Sequence, residues 1–325
     1  MNKLTTLISA AAMALFISSP GWAQADYPSK QITLIVPFPP GGVTDVLGRE
    51  LARSLSKSLN QTVVVENRAG ASGNIGTRHL ARAKPDGYTL GVLAISSMTI
   101  APHVTKNLDF SPSTDFTPIT NLVTTPGAIV ANINAPFNSL QDLITQAKQS
   151  PGKISYASVG NGSSPHLTAE MLSQQANIKL VHVPYKGAAP ALQDLLANHI
   201  SLSFESSLVT TISHSANGRL KVLAMTGPTR SPLLPNVPTV AESGYPGFSA
   251  QSWFGFFGPA GLPKNIVETL NKAATEALRN REIIDRLEKL GTQPAPGSPA
   301  AFAEFLVAED KRWSGVAKSL NLQLE

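Results

Sequence analysis

The sequence predicts an α/β protein of two lobes joined by two crossing strands, a hinged clamshell. Three observations predict it. In the N-terminal half, strands rich in β-branched residues alternate with amphipathic helices, the pattern of parallel sheets covered by helices. One local design occurs twice: a β-branched run ends in a small-residue loop, and a helix starts straight from that loop. Between the two copies lies a Pro- and Asn-rich stretch, residues 112–136. Its apolar pieces, 119–123 and 128–131, read as a strand passing from one lobe to the other. The lobes are assigned to residues 26–124 with 226–325, and to residues 125–225.

Residues 1–25 are set apart as an export signal. Lys3 supplies the positive start, residues 4–17 an apolar core, and Pro20-Gly21-Trp22-Ala23-Gln24-Ala25 a cleavage region cut after Ala25 or Ala23. The apolar core is shorter than the ~20 residues of a membrane span. No cysteine occurs among the 325 residues, which excludes a disulfide framework and lipid attachment to cysteine. An exported protein follows, periplasmic in a Gram-negative cell. The net charge is +5, but charged residues make up only 14% of the chain. Arg78, Arg82 and Lys84 form the densest basic group, and Asp86 follows at once, so no nucleic-acid partner is expected. The mild positive charge steers anions toward the surface.

The first lobe opens with a buried strand at 31–36. A helix follows over 43–59, with Leu47, Leu51, Leu55 and Leu59 along one face. A strand at 62–65, a helix at 73–83 stopped by Lys84-Pro85-Asp86-Gly87, and a strand at 88–94 come next. In the second lobe the order is helix 139–149 with Ser139 as N-cap, strand 154–157, helix 165–175, strand 179–183, helix 188–197 and strand 200–204. Pro165 suits a first helical turn, where its missing N–H costs nothing. A strand at 220–226 is expected to return to the first lobe. Strand 253–258 and the amphipathic helices 264–280 and 299–320 complete it, with residues 292–299 as a linker between helices.

Templates for catalysis fail. No G-x-S-x-G elbow exists, and Gly70-Ala71-Ser72-Gly73 only superficially resembles one. His79, His103, His166, His182, His199 and His214 show no H-x-x-x-H spacing, and most read as surface or helix-end residues. Gly160-Asn161-Gly162 lacks the third glycine of a dinucleotide fingerprint and is followed by no phosphate-binding lysine. Neither metal nor cofactor is expected. The two loops carry different chemistry. Each helix start leaves backbone N–H groups pointing into its loop, and these bind anions without Lys or Arg. Ser158, Asn161, Ser163 and Ser164 add neutral donors at the second loop. Two such sites facing each other across a cleft suit a small carboxylate.

Several side chains admit two roles. Asp45 either complements the dipole of its helix or accepts a hydrogen bond from a ligand or a bridging water. Glu205 either meets a ligand or caps the next helix. His166 reads as a helix-start residue or as a contact to the bound anion. Phe38, past the end of its strand, is a cleft wall. Ser96 and Ser97 stand at the C-terminal end of their strand, where open α/β sheets place ligands.

Seven stretches, "VPFPPGGVTD", "VVVENRAGASGNIG", "AKPDGYTL", "YASVGNGSSPHLTAEML", "HVPYKGAAPALQDLL", "LPNVPTVAESGYPGF" and "GFFGPAGLP", occur in this order. With them the chain resembles the periplasmic receptors of tripartite tricarboxylate transporters, the Bug family, over nearly its whole mature length. The resemblance implies a type II periplasmic-binding-protein clamshell that binds a small carboxylate and delivers it to membrane subunits of the transporter. It puts Phe38, Pro39, Pro40, Gly41, Gly42 and Asp45 on one wall of the site. Ser158, Gly160, Asn161, Gly162, Ser163 and Ser164 form the other, with His166 beside them. Ser96, Ser97 and Glu205 line the cavity where ligands differ. The family often carries Ala where Pro39 stands and Asp where Glu205 stands, so a relative's ligand does not transfer. Ala197-Asn198-His199 also replaces a turn that usually contains glycine. A monomer is expected. Delivery to a sensor kinase, or enzymatic action on a carboxylate with Asp45 or Glu205 as base, are the alternatives. Dicarboxylates, tricarboxylates, amino acids and aromatic acids all remain open as ligands.

Overall fold

A computed structural model describes residues 27–209, 211–289 and 291–324; the export signal assigned to residues 1–25 lies outside them. The first sheet starts at β1 (Ile32–Val36), almost wholly buried. Helix α1 (Val43–Leu59) packs Leu47, Leu51 and Leu55 inward, as the four-residue spacing predicts. Strand β2 (Val63–Asn67), helix α2 (Asn74–Ala81) and strand β3 (Thr89–Ala94) follow, with β1 parallel to both β2 and β3. From β3 the chain makes a π-helical turn (Ser96–Ile100) and a short helix α3 (Ala101–Val104). Two long strands, β4 (Phe116–Pro126) and β10 (Gln251–Pro259), join this sheet antiparallel to their neighbours.

The second sheet contains β5 (Ala128–Asn132), β6 (Ser155–Ser158), β7 (Val181–Pro184), β8 (Leu202–Glu205) and β9 (Leu220–Met225), in the order β7-β6-β8-β5-β9. Helices α4 (Leu140–Gln149), α5 (Ser164–Ala176), α6 (Ala188–Leu196) and α7 (Ile212–Ala216) connect its strands. Ser139 caps α4 by accepting from the Asp142 N–H, the role its position predicts. Helices α8 (Lys264–Arg279) and α9 (Arg281–Lys289), the short β11 (Gln293–Pro294) and helix α10 (Pro299–Leu320) end the chain, giving the first sheet the order β11-β4-β10-β3-β1-β2.

Three expectations are corrected. Both sheets are mixed rather than parallel, because β10 runs antiparallel to β3 and β4 in the first and β5 runs antiparallel to β8 and β9 in the second. The strand expected over 220–226 does not return to the first lobe. It lies in the second sheet, antiparallel to β5, and the chain re-enters the first sheet only at β10. Helix α9 was not anticipated. Asn280 adopts an extended conformation and ends α8, and its side chain accepts the Glu282 N–H to start a new helix.

The two passages between sheets meet at one point. β4 becomes β5 through Gly127, whose carbonyl accepts the Thr226 N–H at 2.8 Å. Thr226 in turn accepts from the Ala250 N–H and donates its hydroxyl to the Ala250 carbonyl, just before β10 begins. One hydrophobic cluster runs through both lobes, uniting Ile129, Tyr156 and Leu167 with Trp253, Phe302 and Trp313. A methyl group at Gly127 would sit 2.4 Å from the Glu205 carbonyl oxygen and 2.6 Å from Thr226 Oγ1. Backbone cannot yield as a flexible side chain does. Gly127→Ala is therefore expected to cost ~1–3 kcal/mol, a drop of several degrees in the thermal midpoint followed by circular dichroism.

Candidate functional site

Helix α1 starts from the first loop with Gly42 as N-cap and no side-chain cap. Its first-turn N–H groups have no acceptor within the helix itself. The loop is held from behind by Asp45, which accepts from the Gly41 N–H (3.0 Å), from Asn67 Nδ2 (2.9 Å) and from Arg49 Nε (3.0 Å). Asn67 Nδ2 also donates to the Phe38 carbonyl. Burial alone would raise the Asp45 carboxyl, but the bonds from Arg49, Gly41 and Asn67 outweigh it and hold it below its ordinary value. Of its two sequence-level roles, the structure displays the one within its own lobe. Gly41 has φ +90° with nothing within 4 Å of its missing side chain, so its glycine serves the backbone conformation.

The second loop is more fully satisfied. The Ser163 hydroxyl caps α5 through the His166 N–H and donates to the Gly160 carbonyl. The Gly160 N–H goes to Ser158 Oγ, and the Gly162 N–H to His166 Nδ1. Ser164 reaches across the cleft: its N–H donates to Ser96 Oγ at 3.1 Å, and its hydroxyl pairs with that of Ser252 at 2.9 Å. Ser72 Oγ also donates to the Asn161 carbonyl. The lobes are thus in contact, and Ser158, Ser163 and Ser164, read from sequence as ligand donors, have protein partners in this conformation.

A third helix start faces the same place. Helix α6 begins at Gly187 without a side-chain cap, and Ala188 approaches Gly42 while Gly187 approaches Pro39. A deep cavity of about 40 Å³ lies among these starts, lined by Gly42, Thr44, Ser96, Ser164, Ala188 and Ser252 with the apolar Phe38, Pro39, Val159 and Phe254. A larger cavity of about 360 Å³ forms the mouth and includes Phe38, Pro39, Gly160 and Asn161. The remaining sequence-selected residues do not line either cavity. Pro40 and Gly41 shape the first loop, and Ser158, Gly162 and Ser163 the second. Ser97 donates to the Ala94 carbonyl inside its turn. Glu205, buried at the end of β8, accepts from the Ser203 hydroxyl.

Sequence reasoning missed Thr44, Ala188, Ser206, Ser252, Ser72 and Lys186 as lining residues. Ala188 was within reach, because 181–188 repeats the strand–glycine–helix design a third time. Ser252 carried no local signal, since a returning strand from the far end of the chain brings it in.

Beneath the second loop the rings of Tyr156, His182 and His166 form a stack, with His166 and His182 4.0 Å apart at 10°. Ser158 Oγ lies 2.5 Å from His182 Nε2, and the Tyr156 hydroxyl donates to Glu170. His166 stands in the first turn of α5, the helix-start position read from the sequence, and is a buried support of the loop. Burial, and then the neighbouring His182, push His166 down to about 3; burial pushes His182 down to about 4.

The model of the family described as the tripartite tricarboxylate transporter family receptor matches residues 47–322. Protein BugT of Bordetella pertussis is 37% identical, the match covering 97% of this chain and 98% of BugT. Among solved structures, R. palustris Rpa4515 with adipate superposes with a TM-score of 0.89 at 34% identity, over 92% of this chain and 99% of that one. The periplasmic binding protein BugD gives 0.86 at 35% identity, over 92% and 100%.

The histidine stack has a thermodynamic consequence. Both rings bind protons less readily folded than unfolded, so their contribution is fully present above the unfolded value of 6.5 and is lost as pH falls. Below pH 6.5 His166 is expected to remove up to ~1.4 kcal/mol per pH unit down to about 3, and His182, partly open to screening water, a smaller amount down to about 4. Urea unfolding between about pH 7 and pH 5 measures this slope, and His182→Phe should reduce it while His166→Phe reduces it more.

Proposed function

The chain belongs to the tripartite tricarboxylate transporter receptor family, and from that premise we propose that it captures a small organic carboxylate in its cleft. Closure about the crossing at Gly127 and Thr226 encloses the ligand, and the closed form delivers it to the membrane subunits of a transporter. The observation that carries the reading is the convergence of the α1, α5 and α6 starts on one cavity lined, among the described residues, by no charged side chain. Helix dipoles and N–H groups make that place favour an anion. A carboxylate entering the cavity takes over the Ser164 N–H that Ser96 now accepts, and adds the uncapped N–H groups of α1 and α6. At ~1.5–3 kcal/mol for each charge-assisted bond, four exceed the ~8 kcal/mol of a micromolar complex before ordering and desolvation costs.

Rpa4515, which superposes closely, was solved with adipate, and this supports the ligand class. The export signal and the likeness to a periplasmic binding protein support a periplasmic receptor. Binding without turnover is supported by the engagement of Asp45 with Gly41, Asn67 and Arg49. Neither Asp45 nor Glu205 lines a cavity, so neither is placed as a base.

A thermal-shift panel of small carboxylic acids and their uncharged amides tests the reading. An acid at ~100 times its dissociation constant adds ~2.7 kcal/mol, and its amide should add nothing. Shifts with amides alone would sink it. Two variants probe the cradle by calorimetric titration. Gly41→Pro cannot hold φ +90° and deletes the N–H that Asp45 accepts, so roughly tenfold weaker binding is expected. Ser163→Ala removes the α5 cap, worth ~1 kcal/mol, and should weaken binding about fivefold. Both should keep a folded circular-dichroism spectrum. Parental affinity in both would mean that the two loops do not form the cradle.

A further inference from the structure

We propose that Ser72 and Leu324 form a clasp: from the first lobe they grip the second loop on both flanks at the mouth of the cleft and hold the lobes closed. The inference rests on the hinge closure of the reading above and not on the chemistry of the ligand. The tip of the loop is Gly160-Asn161-Gly162, and atoms of the other lobe close in on both glycines. A methyl group at Gly160 would sit 2.6 Å from Ser72 Oγ. At Gly162 it would sit 2.8 Å from Leu324 Cδ1 and 3.4 Å from Val104 Cγ2. Glycine lets the lobes approach here more closely than a side chain would allow. Between the two, the Asn161 carbonyl accepts the Ser72 hydroxyl at 2.5 Å.

Ser72 reaches that carbonyl from strained backbone. Gly70, Ala71, Ser72 and Gly73 all have positive φ, and at Ala71 (+47°) and Ser72 (+54°) that conformation is disfavoured for an L residue. The Gly73 N–H on the Gly70 carbonyl, at 3.0 Å, holds the turn, which leads straight into α2. Such backbone persists where its surroundings hold it, and it gathers at clamps and switches. Among the described residues the Ser72 hydroxyl bonds to nothing in its own lobe, and its partner stands across the cleft. Leu324 lies beyond the end of α10. Its N–H donates to the Val104 carbonyl (2.6 Å) and its carbonyl accepts the Lys106 N–H (3.1 Å). Both bonds tie it to the end of α3, on the run of chain that carries Ser96. Its backbone thus belongs to the first lobe while its side chain meets Gly162 of the second.

Ser72 and Leu324 line the mouth cavity, and neither lines the deep one. A carboxylate in the deep cavity is sealed in by the clasp without contact to it, so both are positioning residues. The clasp forms only when the lobes meet, adds nothing to encounter, and must break before release. Its effect falls on the dissociation rate, where most affinity differences among variants of one interface arise.

The chain has no cysteine, so Ser58→Cys on α1 and Gln149→Cys on α4 place one exposed label on each lobe of the exported protein. Single-molecule energy transfer between the labels reads the separation of the lobes. Without ligand, Ser72→Ala and Leu324→Ala should each lower the ratio of closed to open molecules about fivefold, the worth of one hydrogen bond or one half-buried apolar contact. With adipate as probe, stopped-flow mixing should show release about fivefold faster in both variants at an unchanged association rate. A side chain that merely shapes the mouth would slow association and leave release alone, and that result overturns the clasp. Unchanged lobe separations in both variants also overturn it and leave hinge closure standing. A parent whose lobes keep one separation with and without adipate removes the closure itself, and the clasp falls with it. The ligand-free ratios decide the clasp whether or not adipate binds, so its failure and that of the carboxylate reading stay distinct.

Discussion

A helix that starts directly from a strand must find acceptors for its first N–H groups, and the architecture of this cleft depends on that constraint. Helix α5 meets it within the protein: Ser163 takes one N–H and Ser96, from the opposite lobe, takes another. Helices α1 and α6 begin at glycines that have no side chain to offer. The polarity of the cleft is therefore set by backbone. The uncharged lining of the deep cavity follows, because a fixed cation there would duplicate what the helix starts already supply.

On the proposed reading the same donors couple closure to binding. Ser164 is one of the residues through which the lobes touch, with its N–H on Ser96 and its hydroxyl on Ser252. Both partners belong to the first sheet's side of the cleft, one after β3 and one on β10. On the proposed reading, closure and anion recognition draw on the same N–H group. Behind each loop lies a rigid support, Asp45 with Arg49 and Asn67 on one side and the Tyr156–His182–His166 stack on the other. These supports hold the donors in place, which lowers the ordering cost of binding.

Much of the fold was legible from local pattern. The leucine stripe of α1, the Ser139 cap and the bounds of α10 follow from spacing and capping chemistry that act within a few residues. Helix α9 escaped because its start depends on the Asn280 backbone turning extended, which no periodicity reports. The strand at 220–226 was placed in the wrong sheet because a β-branched run does not name its partner. The site divides in the same way. Phe38, Pro39, Gly42, Ser96, Ser164, Gly160 and Asn161 line the cleft, whereas Asp45, His166 and Glu205 lie behind its lining. Sequence could place a polar side chain near a loop but could not tell which way it turned.

Local chemistry along the chain settled where helices start and which backbone donors they leave, since both arise from interactions a few residues apart. It also settled the kind of ligand those donors favour. Folding decided which donors remain after the protein has satisfied itself. Ser96 and Ser164 are separated by 68 positions and Ser164 and Ser252 by 88, and only the crossing strands bring them together. It also decided that Ser72 meets the Asn161 carbonyl across the mouth. A side chain's surroundings are set by the elements packed around it, and those come from the whole chain.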